Sequence, residues 1–110
     1  MNTEQFESHL QFRLEKIREV LEIKAREYRR NDNPLHNFEQ GAKITGETSA
    51  KVLDGFLLKH IISYRDIISD IESGKLPHKE MILEKFGDII NYFILQEALI
   101  CELVDGRIKD

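Results

Sequence analysis

The stretch "EKFGDIINYFIL", residues 84–95, decides how the rest of the chain is read. It is mostly apolar, and its apolar residues do not alternate with period two, so it is a helix and not a strand. Glu84, Asp88 and Asn91 interrupt it at intervals of four and three. At 100° per residue these three side chains fall within a sector of roughly 60° on one side of the helix, with Tyr92 at its edge. The helix around them is expected to run from residue 78 to about 104. Ile82, Phe86, Ile89, Ile90, Phe93, Ile94 and Ile100 form its expected core face, Pro77 fits its first position, and Gly106 ends it.

Two more segments carry the same periodicity. Phe6, Leu10, Leu14, Ile17, Leu21, Lys24 and Tyr28 recur at steps of three and four, which predicts a helix over about residues 4–30 capped by Thr3. "NDNP", residues 31–34, stops it, because proline disfavours helix in the residue before it. Leu53, Phe56, Leu57, His60, Ile61, Tyr64, Ile67, Ile68 and Ile71 predict a second long helix, opened by Thr48 or Ser49 and closed by "SGKLP" at residues 73–77. Between them, residues 35–43 suit a short helix ended by Gly46. The expected fold is all-α: one domain over residues 1–110, an antiparallel bundle of three long helices plus this short one. Each long helix spans roughly 35–40 Å at 1.5 Å per residue. The last is apolar over more than half its circumference, so a second copy is expected to cover the excess in a homodimer.

Composition sets limits on function. The chain has 110 residues, 41% of them apolar and 33% charged, with a net charge of −4. Acidic residues interleave with the basic ones, which argues against binding to a nucleic-acid polymer. The densest basic spot, residues 26–30, still contains Glu27 and reads as a solvated helix end. The single cysteine, Cys101, rules out an internal disulfide framework and is expected in the core. No apolar leader follows the polar residues 1–5, and the longest uncharged run, residues 89–96, is too short to span a bilayer. A cytoplasmic protein with no membrane partner is expected. The histidines, His9, His36, His60 and His78, show no metal-ligand spacing, and His60 reads as a core histidine. No phosphate-binding glycine loop and no nucleophilic triad is present.

The polar ridge remains to be explained. Carboxylates four apart on a helix can share a hard cation such as Mg²⁺, which keeps several waters and takes phosphate oxygens as further ligands. Glu84 and Asp88 are the candidate metal ligands on this spacing. Asn91 could hydrogen-bond a sugar or base, and Gly87 leaves room for close approach. Lys59, Ser63 and Asp66 repeat the spacing on the preceding helix, and Lys24, Glu27 and Tyr28 lie near the end of the first. Two other readings fit the same spacing: solvated surface for the charges, and a register-fixing buried amide for Asn91.

The order of these segments resembles a known family. "KAREY" (24–28), "NF" (37–38), "LLKHIISYRDII" (57–68) and "EKFGDIINYFIL" (84–95) together look like the all-α nucleoside triphosphate pyrophosphatase superfamily, the MazG-like proteins, and in particular the short phage versions linked to nucleotide modification. The resemblance covers about residues 20–101. Its most specific piece is Glu84, Asp88, Asn91 and Tyr92. It implies a helical, oligomeric Mg²⁺-dependent hydrolase that cleaves a nucleotide between the α- and β-phosphates, releasing a monophosphate and pyrophosphate. It also implies that Glu84 and Asp88 hold metal, while Lys24, Tyr28, Lys59, Ser63, Asn91 and Tyr92 contact substrate. The first acidic motif of that family, two adjacent glutamates and a third three residues on, is not reproduced. Lys59 stands where a carboxylate is expected, and only Asp54 and Asp66 remain nearby. A catalytically inactive nucleotide-binding or helical interaction module of the same fold is the alternative expectation.

Overall fold

A computed structural model describes every residue except 28, 29 and 31; at 24 and 27 it describes the backbone alone. The described residues are helical and form no strand, as the periodicity predicts. None of their helices is long and apolar enough to cross a membrane. Contacts divide the chain into two compact units, Met1–Pro34 and Leu35–Asp110.

The first unit opens with α1, Thr3–Arg18. Its cap is Asn2 and not the expected Thr3: the Asn2 side chain accepts from the Gln5 amide at 2.8 Å, and Gln5 Oε1 accepts from the Asn2 amide at 2.8 Å. Beyond α1 the coil does not stay α-helical to residue 30. It widens into a π-helical turn at Glu19–Ile23 and tightens into a 3₁₀ turn at Lys24–Glu27. Hydrophobic spacing reports the winding of the stripe and not the hydrogen-bond register, so it does not separate these forms. Within α1 no residue is buried: Phe6, Leu10 and Leu14 are all exposed.

The second unit holds three helices. The first, α2, runs over His36–Thr45, and Gly46 ends it in the left-handed conformation at φ 75°, where its amide bonds Ala42 O. A methyl group at Gly41 would lie 2.9 Å from Val52 Cγ1, so the bare glycine lets α2 approach the next helix. That helix, α3, spans Ser49–Glu72, and the Thr48 hydroxyl caps it by accepting from the Lys51 amide at 3.1 Å. The last, α4, spans Lys79–Val104 after His78, so Pro77 sits just before the cap and not inside the first turn. Gly106, at φ 75°, ends it as expected.

Past Gly106 the chain folds back. Ile108 packs on the core, and the Asp110 carboxylate accepts from the Ser49 amide at 3.0 Å and from the Ser49 hydroxyl at 2.7 Å. Ser49 is fully buried at the start of α3, where unpaired amides attract negative charge. Asp110→Ala leaves that amide and hydroxyl without this partner, and a loss of about 1–2 kcal/mol is expected in urea unfolding.

Leu35, Phe38, Leu53 and Leu99 form the buried core, with Ala50, Val52, Tyr92, Leu95 and Leu103 against it. The hairpin of α3 and α4 is antiparallel. Gln96 Nε2 donates to Ala50 O at 2.9 Å, Phe56 stacks on Tyr92, His60 faces Asp88, and Tyr64 meets Phe86 edge-on at 5.6 Å.

One expectation is reversed. The isoleucine and phenylalanine arc of α4 is not the buried side: Phe93, Ile94 and Ile100 are exposed, and Ile82, Phe86, Ile89 and Ile90 are only half-buried. The buried residues of α4 are Gly87, Asn91 and Leu99. An arc wider than half a helix cannot all face one neighbour, and the glycine and the small amide allow the closer approach. Cys101 is exposed on α4 and not in the core. On α3, Leu53, Leu57 and Ile67 are buried as expected, while Phe56, Ile68 and Ile71 are exposed.

Candidate functional site

The inward turn of α4 carries its polar ridge toward α3. Asn91 keeps only 9% of its surface exposed. Its side-chain oxygen is shielded from solvent and has no hydrogen-bond partner; Gln96 Oε1 is in the same state. An unpaired buried acceptor costs on the order of 1–3 kcal/mol. One turn before Asn91, the Asp88 carboxylate is partly open, and its Oδ2 lies 3.7 Å from His60 Nδ1. That separation exceeds a direct hydrogen bond, and the contact is an ion pair when the imidazole is protonated. Glu84, a further turn away, is exposed.

Aromatic rings extend the cluster along the hairpin. Tyr92 stacks on His60, with centroids 4.9 Å apart, and on Phe56 at 6.3 Å with the planes only 8° apart. Phe56 in turn meets the buried Phe38 of α2 edge-on at 5.8 Å. The run Phe38, Phe56, Tyr92, His60, Asp88 is therefore contiguous and joins three helices. Both attractive geometries, offset stacking and edge-to-face, recur in it.

Burial and, secondarily, the negative charge of Asp88 push the Tyr92 phenol above its ordinary value of 10.0. The fold therefore favours the neutral phenol. This contribution to stability is complete below pH 10 and is lost as pH rises through the raised value. Tyr92→Phe is expected to flatten the alkaline limb of a Tm-against-pH curve and to change Tm little at neutral pH. In Asp88→Asn, ultraviolet titration of the phenols is expected to show Tyr92 ionising at lower pH than in the wild type.

The remaining residues singled out in the sequence are distributed as follows. Lys59 is exposed on α3, and the half-buried Ser63 spends its hydroxyl on Lys59 O at 3.2 Å. The side chain of Lys24 and all of Tyr28 lie outside the described residues. His60 and Phe56, read from the sequence as core, are the residues that link Asp88 and Tyr92 to the rest. The signal for them was the antiparallel register: four residues up α3 from Phe56 to His60 match four down α4 from Tyr92 to Asp88.

Among the described residues, no group of three or more His, Cys, Asp or Glu side chains is gathered as a metal cage. Glu84 and Asp88 stand one turn apart on α4, Glu84 exposed and Asp88 against His60. The chain matches no protein-family model, no curated protein and no solved structure.

Proposed function

We infer that this chain is a nucleotide-binding helical protein of the cytoplasm. On this reading it hydrolyses a nucleoside or deoxynucleoside triphosphate to the monophosphate and pyrophosphate, as a Mg²⁺-dependent pyrophosphohydrolase. The observation that carries the reading is the orientation of α4. It buries Gly87 and Asn91 along with Leu99, and sets Asp88 against His60, with Tyr92 stacked on the same imidazole.

In the proposed reaction a water oxygen bonds to the α-phosphorus, the bridging bond to the β-phosphate breaks, and pyrophosphate leaves while the proton passes to solvent. Glu84 and Asp88 would hold Mg²⁺ or Mn²⁺, whose contribution when bound is to neutralise phosphate charge as a Lewis acid. Lys59 adds positive charge for the phosphates. Asn91 and Tyr92 lie beside Asp88 on the side of α4 that faces α3, and Ser63 of α3 is assigned to substrate contact. The exposed Phe93, Ile100 and Val104 of α4 suit a second copy, in a homodimer or tetramer.

A second reading has its own support. Glu84 faces water, Lys59 stands where the resemblance calls for an acid, and no third ligand joins the carboxylates among the described residues. These favour a module that binds nucleotide, or only a helical partner, without turnover. A screen for pyrophosphate release over canonical and modified triphosphates, with Mg²⁺ or Mn²⁺, decides between them when paired with thermal shifts on the same panel. Release with stabilisation is the result expected. Stabilisation without release points to the binding module, and neither effect points to a helical adaptor.

A further inference from the structure

The first helix is where sequence and burial disagree most. It opens on a full capping box and runs for 16 residues, yet no residue of α1 is buried. Its apolar stripe is open: Phe6 is 54% exposed, Leu10 45% and Leu14 49%, with Ile17 half-buried. Isolated helices of about 12–15 residues are marginal in water, and packing of the apolar face supplies most of a helix's stability. The charges around the stripe indicate what packs there. On the far face of α1 the polar groups are matched within the chain: Gln11 donates to Glu15 at 3.0 Å, and Lys16 pairs with Glu19 at 3.2 Å. At the edge of the stripe they are not. Glu7 and Arg18 are exposed, and neither side chain has a hydrogen bond or ion pair among the described residues.

Glu7 and Arg18 are about three helical turns apart, so they lie on one line beside the stripe; Phe6 and Ile17 have the same separation inside it. Such a surface is complementary to itself turned end for end. A copy laid antiparallel, with the symmetry axis between Leu10 and Leu14, sets Phe6 against the partner's Ile17, Leu10 against the partner's Leu14 and Glu7 against the partner's Arg18. Two-fold symmetry makes each contact twice. A parallel copy in register sets every residue level with its own equivalent and leaves Glu7 about three turns from the partner's Arg18. On the other edge Arg13 lies over the Phe12 ring, 5.7 Å from its centroid, which carries its charge away from the seam.

We propose that α1 pairs antiparallel with α1 of a second copy, through a leucine-centred seam flanked by two Glu7–Arg18 ion pairs. The pairing uses no residue of α4 and is independent of the nucleotide reading above. Charges beside a helical seam set partner choice and orientation more than affinity, so they are where the pairing is tested.

The test is analytical ultracentrifugation of the full chain over a concentration series, without nucleotide. The wild type is expected to self-associate. Glu7→Arg and Arg18→Glu each set like charges together twice, and each is expected to raise the dissociation constant roughly tenfold or more. An equimolar mixture of the two single variants is expected to recover the wild-type constant, because each offers the charge that the other lacks. The double variant, which exchanges the two charges within one chain, is expected to recover it as well. Single variants that associate as tightly as the wild type overturn the pairing. So does a weakening that neither the mixture nor the double variant recovers, and so does a wild type that stays monomeric. None of these outcomes decides whether the chain binds a nucleotide.

Discussion

Asp88→Asn is expected to reduce pyrophosphate release by at least about a hundredfold, the order of loss when one charge-stabilising group leaves an active site. The substitution keeps the shape of the side chain and removes only its charge. The Asp88 side chain is 39% exposed and makes a single 3.7 Å approach to His60, so little folding energy depends on it. The unfolding midpoint should therefore stay close to that of the wild type while turnover disappears. The contrast is the informative part. A structural aspartate would lose stability and activity together, whereas a solvated bystander would lose neither. Circular dichroism melts run beside the pyrophosphate assay separate the three cases.

The second large effect is expected in the core. Leu99 is fully buried, as is Leu53 across the hairpin, and both belong to the cluster that holds α2, α3 and α4 together. Leu99→Ala should cost about 2–5 kcal/mol, the sum of lost transfer energy and the cavity left behind. At about 4 °C per kcal/mol for a chain of this size, the melting midpoint falls by roughly 8–20 °C. Leu53→Ala should cost a similar amount, and the double variant less than the sum, because both remove material from one cavity. Additive losses would mean that the two leucines do not share a core. Urea titrations of the four proteins measure this directly.

How much of this was legible in the sequence differs by level. The helices of the second unit were: Thr48 opens α3, Gly46 and Gly106 end α2 and α4, and the periodic apolar positions lie within these elements. Each of those signals is local, set by backbone geometry within a turn. The facing of α4 was not. With apolar residues over more than half of its circumference, hydrophobicity assigns it a broad arc and no direction, and the isoleucines won a place in the expected core that Gly87 and Asn91 hold instead. Small residues decide such contacts through the distance they permit, which a hydrophobic pattern does not record. The same limit applies to Cys101, an exposed residue that its apolar neighbours made look internal.

The candidate site was half legible. Glu84, Asp88, Asn91 and Tyr92 stood out because polar residues on an apolar helix are conspicuous at fixed spacing. His60 and Phe56 did not, since a histidine and a phenylalanine on an apolar stripe look like packing. Their part in the cluster follows from pairing between helices, and that needs the register of the hairpin. The Asp110 contact to Ser49 was invisible for the same reason: its partners are 61 residues apart.

The central claim is that the inward polar side of α4, joined to His60 and Phe56 of α3, receives a nucleotide. Amide and side-chain chemical-shift mapping of the labelled protein, titrated with a triphosphate and Mg²⁺, addresses it most directly. The account predicts saturable shifts centred on Phe56, Lys59, His60, Asp88, Asn91 and Tyr92. Shifts confined to the outer arc of α4 at Phe93, Ile100 and Val104, or a spectrum that does not respond to any triphosphate, would contradict it.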